Sequence, residues 1–550
     1  MANNFSNFKV PYKINQKYKK PVAYFSMEFA IDQALKIYSG GLGFLAGSHM
    51  RSAYDLRQNL IGIGILWKYG YYDQVRKADN QMDVLFRDKQ YWFLEDTGIK
   101  FSIIINEHEV WVKAFYLAPE VFETAPIFLL STELPENDWL SHTIVQKLYD
   151  SNMNTKIAQN MLLGIGGAKL LEQLNFEPEV FHMNEAHALA AAFYKYNQWE
   201  DLEKVKQHFV FTTHTPVPAG NEVHDINLLE KMSFFGKTPL DVVHKITGEE
   251  GNAFNHTLAA LRLSKKANGV SAIHGEVARE MWGSFENIAP INHVTNSQNW
   301  KYWADEELNL ALAKKNDNQL RARKIELKKG LFKIVADQCG KLFEPEVLTI
   351  VWARRFADYK RADLLAKDLV RFESLLNNHK YPVQVIWAGK PYPTDYRAVE
   401  TFNHLCKLSE NYKNVAVLTG YELELSRSVK QGADIWLNNP RIPREASGTS
   451  GMTAAMNGAV NLSTHDGWIP EFARDGENAF VIAPVDQSLS VFEQDAYDWN
   501  CLFSILEETV LPTYYERPKK WLQIVKNSMT DIRPFFDSDR MADEYYQKMY

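Results

Sequence analysis

The chain has 550 residues, of which 46% are hydrophobic and 23% are charged, so it can bury large cores and is not intrinsically disordered. At about 150 residues per domain, this length indicates two to four domains. The 61 Lys and Arg residues against 68 Asp and Glu give a net charge of −7, which argues against a nucleic-acid-binding protein that works through net charge.

Other features indicate a reduced, cytoplasmic protein without a membrane anchor or a metal site. The cysteines Cys339, Cys406 and Cys501 form no CxxC pair, and their spacing predicts neither a disulfide framework nor a zinc site. Residues 1–20 are polar and basic, so no secretory signal is expected. No apolar run approaches about 18 residues, and no transmembrane helix is expected.

Short apolar runs alternate with amphipathic stretches along the chain. In the first half we predict strands, in chain order, at 21–30 (running into a loop), 61–67, 180–182 and 208–213. Helices are predicted between them at 40–60, which starts with glycines, and at 158–174. In the second half we predict a helix at 423–431 and strands at 347–352, 383–387, 415–418 and 435–437.

This alternation predicts an α/β fold. Strands that alternate with helices form parallel sheets with helices on both faces. The two blocks, divided near 296–345, predict two doubly wound domains, with the charged segment 304–329 as a solvated helical connection. Because ligands of such sheets bind outside the carboxyl ends of the strands, a cleft between the domains is the expected active site.

Two glycine clusters have different sequence contexts. Residues 39–43 (SGGLG) lie between a strand and a helix, where backbone N–H groups can point at an anion beside a helix N-terminus. The alternative for this cluster is a tight turn with close packing. Residues 164–167 (GIGG) follow a helical pattern, so they lack the context of a dinucleotide site and are interpreted as helix packing.

Two polar clusters suit phosphate binding. Residues 354–361 (RRFADYKR) place four cations directly after a strand, where Arg binds phosphate bidentately and Lys adds a point charge. The alternative is a solvated basic turn. Residues 445–453 (EASGTSGMT) bring hydroxyls to a helix start, and Glu445 suits sugar hydroxyls; the alternative is a Ser/Thr helix cap.

The histidine-containing stretches 182–187 and 212–216 also end predicted strands. Neither has the HExxH spacing of a metal site. We therefore interpret their histidines as structural or substrate-lining residues, and no metal site is predicted.

Eight segments together resemble the α-glucan (glycogen, starch, maltodextrin) phosphorylases of glycosyltransferase family 35, in their short bacterial and archaeal branch. They run in the family's order from near residue 22 to near residue 480: YFSMEFA, IYSGGLGFLAGSHMRSA, GIGILWKYGYYDQ, FHMNEAHALAA, FTTHTPVPAGNE, GVSAIHGEVAREMW, ARRFADYKRADLL and EASGTSGMTAAMNGAVNLSTHDGW. The resemblance implies the GT-B fold, with two Rossmann-like domains facing a central cleft. The domains would be 1–300 (glucan and phosphate-loop side) and 301–491 (phosphate and cofactor side), with helices in 492–550 crossing back to the first.

The resemblance also implies an activity and its partners. Members cleave a terminal α-1,4-linked glucose from glycogen or maltodextrin with inorganic phosphate and release glucose 1-phosphate with retention of configuration. Their cofactor is pyridoxal phosphate, whose phosphate rather than its aldehyde acts. The implied partners are the α-1,4-glucan, inorganic phosphate or glucose 1-phosphate and, by analogy, a second copy in a homodimer, with no nucleic acid and no membrane.

The matching motifs carry the family's functional residues onto this chain. The expected catalytic residues are Arg355, Lys360, Glu445 and His214, with Arg355 and Lys360 as the phosphate-binding pair. The expected substrate-binding residues are Gly40, Gly41 and Leu42 of the glycine loop, and His187, Asn296, Ser447 and Gly448. The expected cofactor-binding residues are Thr449, Tyr359, Tyr421 and the position of Thr453.

Two departures from the family pattern bear on function. Thr453 stands where the family motif EASGTSGMK has the lysine that forms a Schiff base with the cofactor, and no lysine occurs between Lys430 and Lys519. Ser297 replaces the glycine of the family's TNGV motif and the loop before Trp300 is shorter, which bears on the assignment of Asn296 to the sugar site.

The missing lysine leaves three hypotheses. The first is a phosphorylase that holds pyridoxal phosphate without a covalent bond. The second is a nucleotide-sugar-dependent glucan synthase that uses the same phosphate clamp. The third is a non-catalytic glucan-binding protein.

Overall fold

The apolar runs of the sequence form the central strands of two sheets in the computed structural model, which describes residues 5–550, apart from the side chain of residue 219. The strands are β1 (Val22–Phe25), β2 (Leu60–Ile65), β3 (Asp73–Arg76), β4 (Met82–Leu85), β5 (Glu95–Ile105), β6 (His108–Leu117), β7 (Ile127–Ser131), β8 (Val180–Asn184), β9 (Phe209–Thr212), β10 (Val223–Asp225), β11 (Ala253–Asn255), β12 (Lys266–Gly269), β13 (Ile291–His293), β14 (Leu348–Ala353), β15 (Val383–Ala388), β16 (Val415–Leu418), β17 (Ile435–Asn438), β18 (Val460–Thr464) and β19 (Ala479–Ile482).

Helices connect most of these strands. They are α1 (Gly41–Asp55), α2 (Pro119–Phe122), α3 (Trp139–Thr143), α4 (Met153–Met161), α5 (Gly167–Gln173), α6 (Ala190–Trp199), α7 (Leu202–His208), α8 (Ile226–Lys231), α9 (Leu240–Thr247), α10 (His256–Arg262), α11 (Ala272–Trp282), α12 (Trp300–Trp303), α13 (Glu306–Ala313), α14 (Asp317–Cys339), α15 (Leu369–Leu376), α16 (Tyr396–Ser409), α17 (Leu423–Gly432), α18 (Ser450–Met456), α19 (Val491–Ser504), α20 (Leu511–Glu516), α21 (Pro518–Phe536) and α22 (Ser538–Lys548). A π-helical turn, Leu162–Gly166, joins α4 to α5.

The first of two units contains a nine-stranded sheet. It comprises the described residues up to Tyr72, together with Phe86–Asn299 and Ser538–Tyr550. Its strand order is β13-β12-β9-β8-β1-β2-β7-β6-β5, in which β13 to β7 are parallel and β7, β6 and β5 are antiparallel. Every residue of β1, β2 and β8 is buried, as expected for parallel strands that are covered on both faces.

The second unit contains a fully parallel sheet. It comprises Asp73–Leu85 and Trp300–Asp537, and its strand order is β16-β15-β14-β17-β18-β19. The β3–β4 hairpin belongs here because Gln74 Nε2 donates to Gly389 O at 3.1 Å and Met82 N–H donates to the Asn403 side chain at 2.9 Å. The predicted α/β fold with two doubly wound sheets is confirmed.

The C-terminal segment divides between the two units. Helices α19, α20 and α21 belong to the second unit, and α22 packs on α1 in the first. A buried chain of hydrogen bonds anchors the end of α22: Tyr550 OH donates to His182 Nδ1 at 2.7 Å, and His182 Nε2 donates to Thr212 Oγ1 at 2.8 Å. Thr212 in turn donates to Asn268 at 2.8 Å, so the chain crosses three neighbouring strands.

The glycine cluster at 164–167 packs helix against helix at Gly164, as predicted, and helix against strand β1 at Gly167. A Cβ at Gly164 would lie 2.7 Å from Ala191 N, and one at Gly167 would lie 2.6 Å from the Phe25 ring. These positions therefore need glycine for close packing. Within residues 5–550, no helix combines the length and apolar character that a membrane crossing requires.

The charged segment 304–329 is helical, as predicted, but it is not wholly solvated. Its Lys328 is only 1% exposed, its Nζ is ion-paired with the buried Asp434, and it donates to Val347 O at 2.8 Å. Thr349 N–H also donates to the Asp434 carboxylate, at 2.9 Å. One face of α14 therefore packs on the second sheet. The sequence did not reveal this buried face, because the segment as a whole is highly charged.

Replacing Lys328 with Met should destabilise the protein, because it leaves the Asp434 carboxylate buried without its cation. Breaking a buried pair in this way costs about 3–5 kcal/mol. The exposed neighbour Lys329 supplies the matched control, Lys329→Met. Thermal unfolding should show a markedly lower melting temperature for Lys328→Met alone. Equal melting of the two variants would contradict a structural role for the pair.

Candidate functional site

The glycine loop of the first unit closes around a buried carboxylate. Glu28 is 2% exposed, and its Oε2 accepts hydrogen bonds from Ser39 N–H at 2.6 Å and Gly40 N–H at 3.2 Å. Tyr149 OH donates to its Oε1 at 2.8 Å. Burial raises the pKa of Glu28, against the opposing effect of these donors.

Beyond this carboxylate the loop opens into α1. Gly41 and Leu42 supply the first-turn N–H groups, which have no intrahelical partner, and in the described chain no side chain caps this end. A Cβ at Gly40 or Gly41 would meet nothing within 4 Å, so there is room next to the loop. In the predicted anion-binding loop, the Gly40 N–H thus donates to Glu28, and the N–H groups at the start of α1 remain uncapped by a side chain within the described residues.

The exits of β8 and β9 hold His214 in a defined orientation. Its Nε2 donates to Asn184 Oδ1 at 2.7 Å, and its backbone N–H donates to Glu185 Oε1 at 2.5 Å. Burial lowers the pKa of His214 to about 3, so the ring is neutral at neutral pH. The predicted substrate-lining histidine is therefore a fixed, uncharged imidazole.

Glu185 sits in a strained conformation beside this histidine. Its φ is +67°, in a region that non-glycine residues rarely adopt. Burial raises the pKa of its carboxyl to about 7, although His214 N–H and the Thr215 hydroxyl both donate to it. A strained, buried carboxyl with this pKa is typical of functional sites.

His187 connects the histidine region to the glycine loop. Its ring centroid lies 6.1 Å from that of Tyr149, whose hydroxyl binds Glu28. Burial lowers the pKa of His187. Gly40 and His187 are therefore linked through Glu28 and Tyr149, and His187 is also one of the charges that lower the pKa of His214.

The predicted sugar-site residue Asn296 is buried. In the described chain its Oδ1 has no hydrogen-bond partner, while its N–H donates to Val270 O at 3.0 Å. The hydroxyl of Ser297, which replaces the family glycine, donates to Thr295 O at 3.4 Å and accepts from Arg540 of α22. The serine is thus accommodated, and the role of Asn296 stays a prediction.

In the second unit, Glu445 accepts hydrogen bonds from two cations. Arg354 Nη2 lies 2.6 Å and Lys360 Nζ 2.8 Å from Glu445 Oε2, and all three side chains are buried. Burial opposes ionisation of Glu445, but the charges of Arg354 and Lys360 outweigh it and hold its pKa at about 2. We refer to Arg354, Lys360 and Glu445 as the charged cluster.

Asp466 supports the charged cluster from the turn after β18. Its Oδ2 accepts from Glu445 N–H at 2.9 Å, and its Oδ1 accepts from Gly467 N–H at 2.8 Å. Burial raises the pKa of Asp466 to about 7 against these two hydrogen bonds. Gly467 has φ +62°, and a Cβ there would lie 2.3 Å from Ser447 O, so only glycine fits this turn.

Buried donors without partners lie next to the charged cluster. In the described chain, Ser447 Oγ and Arg354 Nη1 are buried and make no hydrogen bond. A Cβ at Gly448 would lie 3.2 Å from Arg354 Nη2 and 3.3 Å from Glu445, so this glycine keeps the cluster accessible. Such donors suit an oxyanion, which would satisfy them.

The other predicted residues of this unit are placed around the charged cluster. Arg355 follows the buried Arg354 and is exposed, and Tyr359 has its ring centroid 5.0 Å from Lys360 Nζ. Within residues 5–550, the Thr449 side chain makes no capping hydrogen bond at the start of α18. Helix capping therefore does not account for this hydroxyl.

Thr453 and Tyr421 are both buried. The Thr453 hydroxyl donates to Ser450 O, one turn back in α18, at 3.0 Å. Tyr421 OH donates to Ala353 O, adjacent to Arg354, at 3.3 Å, and burial raises the pKa of Tyr421 to about 12. Position 453 is therefore an internal position of the fold.

A potential metal-binding group occurs at β10 and β11, where none was predicted. Ligand atoms of Glu222, His224 and His256 all lie within 4.8 Å of one another. The facing nitrogens of the two imidazoles are 2.8 Å apart and hydrogen-bonded to each other. This hydrogen bond explains their proximity without a metal ion.

Sequence reasoning gave no site role to Glu28, Tyr149, Glu185 and Asp466, and it named Arg354 only as one of the four cations of 354–361. Glu28 had a detectable signal, since it is the lone acid in the apolar run YFSMEFA. The sequence does not reveal the positive φ of Glu185 or which of two successive arginines is buried.

A profile of the carbohydrate phosphorylase family matches residues 297–498. An uncharacterised protein of Methanocaldococcus jannaschii is 47% identical over 96% of this chain and 100% of its own length. Maltodextrin phosphorylase of Thermococcus litoralis is 34% identical over 97% of this chain and 71% of that enzyme, and glycogen phosphorylase of Aquifex aeolicus is 30% identical over 98% and 87%.

The raised pKa of Asp466 predicts a pH dependence of stability. Folding favours the protonated form of the Asp466 carboxyl. Its contribution to the free energy of unfolding is therefore fully present below the usual carboxyl pKa of 3.8 and is lost as the pH rises towards about 7. Asp466→Asn removes this titration. Between pH 5 and pH 8, the wild type should therefore lose thermal stability relative to Asp466→Asn.

Melting temperatures at pH 5, 6, 7 and 8 measure this difference. Asp337→Asn, which removes an exposed carboxyl of the same unit, is the control. A difference between wild type and Asp466→Asn that does not change with pH would contradict the raised pKa.

Proposed function

Because this chain belongs to the carbohydrate phosphorylase family, we propose that it cleaves the terminal α-1,4 bond of a glucan with inorganic phosphate, releasing glucose 1-phosphate with retention of configuration. It is a glycosyltransferase of the phosphorylase type. The proposed substrates are maltodextrin or glycogen and inorganic phosphate.

The observation that carries this proposal is the charged cluster of Arg354, Lys360 and Glu445. Its two cations against one carboxylate leave one positive charge in a site from which water is largely excluded. Fixed charges in such a site stabilise developing negative charge more strongly than they would in water. This suits a reaction in which a phosphate enters as a nucleophile and a glycosyl bond breaks.

The residues of the charged cluster can take separate roles. Lys360 and Arg354 neutralise phosphate oxygens, while the ionised Glu445 is positioned to accept hydrogen bonds from sugar hydroxyls. The buried Ser447 hydroxyl supplies a further donor. Asp466 orients Glu445 through its backbone N–H at 2.9 Å.

The residues of the first unit suit an uncharged sugar and an anion. His214 is neutral and donates through Nε2 to Asn184, so its Nδ1 can accept a hydrogen bond without adding charge. The open end of α1, with Gly41 and Leu42, presents N–H groups and the positive end of the helix dipole. We assign His214 to the glucan and the open end of α1 to the phosphate.

The residues near the charged cluster also fit pyridoxal phosphate, the cofactor implied by the family. Arg354 Nη1 and Ser447 Oγ are buried donors that, within the described residues, have no partner, as a site for a phosphate group requires. We propose two further contacts, Thr449 and Tyr421. Within residues 5–550, the Thr449 side chain makes no helix-capping hydrogen bond. When bound, the cofactor supplies a phosphate that can exchange a proton with the substrate phosphate.

Replacing Lys360 with Ala should reduce phosphorolysis severely. Removing one positioned donor from such a site costs on the order of 10²–10³ in kcat. The exposed Lys413 of the same unit provides the control variant Lys413→Ala, for which no loss is expected. Initial rates of glucose 1-phosphate formation measure both, and a loss of only a few-fold would remove Lys360 from the phosphate-binding role.

The proposed reaction itself is tested by glucose 1-phosphate release from maltoheptaose and inorganic phosphate, with and without added pyridoxal phosphate. We expect release that depends on the cofactor. If neither condition gives release, transfer from ADP-glucose or UDP-glucose to maltoheptaose would identify a glucan synthase. Glycogen co-sedimentation without turnover would identify a non-catalytic glucan-binding protein, and both outcomes contradict the proposal.

A further inference from the structure

A buried lysine lies on the helix next to the one that carries Thr453. Lys430 of α17 is 1% exposed, and its Nζ lies 4.0 Å from the ring centroid of Trp303. Burial, and secondarily the charge of Arg427, lowers the pKa of Lys430 well below its usual value. Burial thus disfavours the protonated form of this amine, and an unprotonated amine is nucleophilic, unlike the ammonium group of a surface lysine.

The contacts of α17 and α18 bring Lys430 to the neighbourhood of Thr453. Asn457, at the end of α18, donates through Nδ2 both to Thr453 O at 2.8 Å and to Trp303 O at 2.9 Å. Trp303 is the residue on which the Lys430 amine stacks. In addition, Val429 and Ala454, the chain neighbours of the two residues, share one buried apolar cluster.

The same face of α17 is hydrogen-bonded, through one tyrosine, to the end of β14. Ser426 and Lys430 are four residues apart, so they lie on one side of the helix. Ser426 Oγ donates to Tyr421 OH at 3.1 Å, and Tyr421 OH donates to Ala353 O, adjacent to Arg354, at 3.3 Å. The face of α17 that carries Lys430 therefore also carries the hydrogen bond that leads, through Tyr421, to the end of β14.

We propose that Lys430 forms the covalent bond to pyridoxal phosphate, taking from α17 the role of the lysine that is absent at position 453. The inference rests on the proposed function, because it requires the cofactor. The Lys430 nitrogen attacks the aldehyde carbon, and the elements of one water leave, so that a C=N bond replaces the C=O bond. No oxidant or reductant is needed.

The bond can be localised chemically. The protein is incubated with pyridoxal phosphate, its absorption spectrum is recorded, and the Schiff base is reduced with borohydride before digestion and mass spectrometry. We expect the pyridoxyl group on Lys430. Lys324, a second lysine with a pKa lowered by burial, to about 7, is the internal control, since its Nζ donates to Gln431 O and Asn457 O and should remain unlabelled.

Two variants make the assignment falsifiable. Lys430→Met should lose the Schiff-base absorption band and the reduced adduct. Thr453→Lys in the Lys430→Met background should restore the band, which would also show that the doubly substituted protein folds and that its pocket accepts the cofactor.

The outcomes separate this inference from the proposed function. Cofactor-dependent phosphorolysis with no adduct, or with an adduct at another lysine, would overturn the role of Lys430 and leave the proposed function standing. No cofactor binding and no phosphorolysis in any variant would overturn the proposed function itself.

Discussion

The ionised carboxylate of Glu445, held between Arg354 and Lys360, is the interaction around which the loops of the second unit are arranged. Two cations, one from the exit of β14 and one from the turn that follows, are needed to keep a carboxylate charged where water is excluded. The glycines at 448 and 467 let the backbone pass close to Glu445 and Ser447, where a Cβ atom would crowd these residues. Removing either cation would remove the net positive charge of the cluster and one of the two donors to Glu445, so binding and structure depend on the same contacts.

The first unit contains a buried carboxylate with the opposite electrostatic environment. Glu28 accepts hydrogen bonds from uncharged donors, the Ser39 and Gly40 N–H groups and the Ser39 and Tyr149 hydroxyls, and its pKa is raised rather than lowered. A buried glutamate is therefore held ionised in the second unit, at Glu445, and is more readily protonated in the first unit, at Glu28. Burial acts on both, and the presence or absence of a full positive charge decides the result.

The sequence predicts the sheets better than the contacts of the site. Strands β14 to β17 coincide with apolar runs, because buried parallel strands are apolar on both faces. The antiparallel pair β5 and β6 was not predicted, because its buried and exposed residues alternate and so do not form a continuous apolar run like those of the parallel strands. Lys360 and Glu445 were selected from motifs and do meet. The burial of Arg354 rather than Arg355 follows from the direction in which an extended chain points successive side chains, and the approach of Lys430 to α18 requires the packed fold.

The burial of the charged cluster has a consequence for the effect of dissolved salt. Mobile ions screen charges on a protein surface over roughly 10 Å at 0.1 M ionic strength, but they screen a buried pair much less. Raising the ionic strength should thus leave the Arg354–Glu445–Lys360 contacts largely intact. Sensitivity to salt would instead come from anions whose size and oxygen geometry let them enter the site, so the chemical identity of the buffer anion would matter more than its concentration.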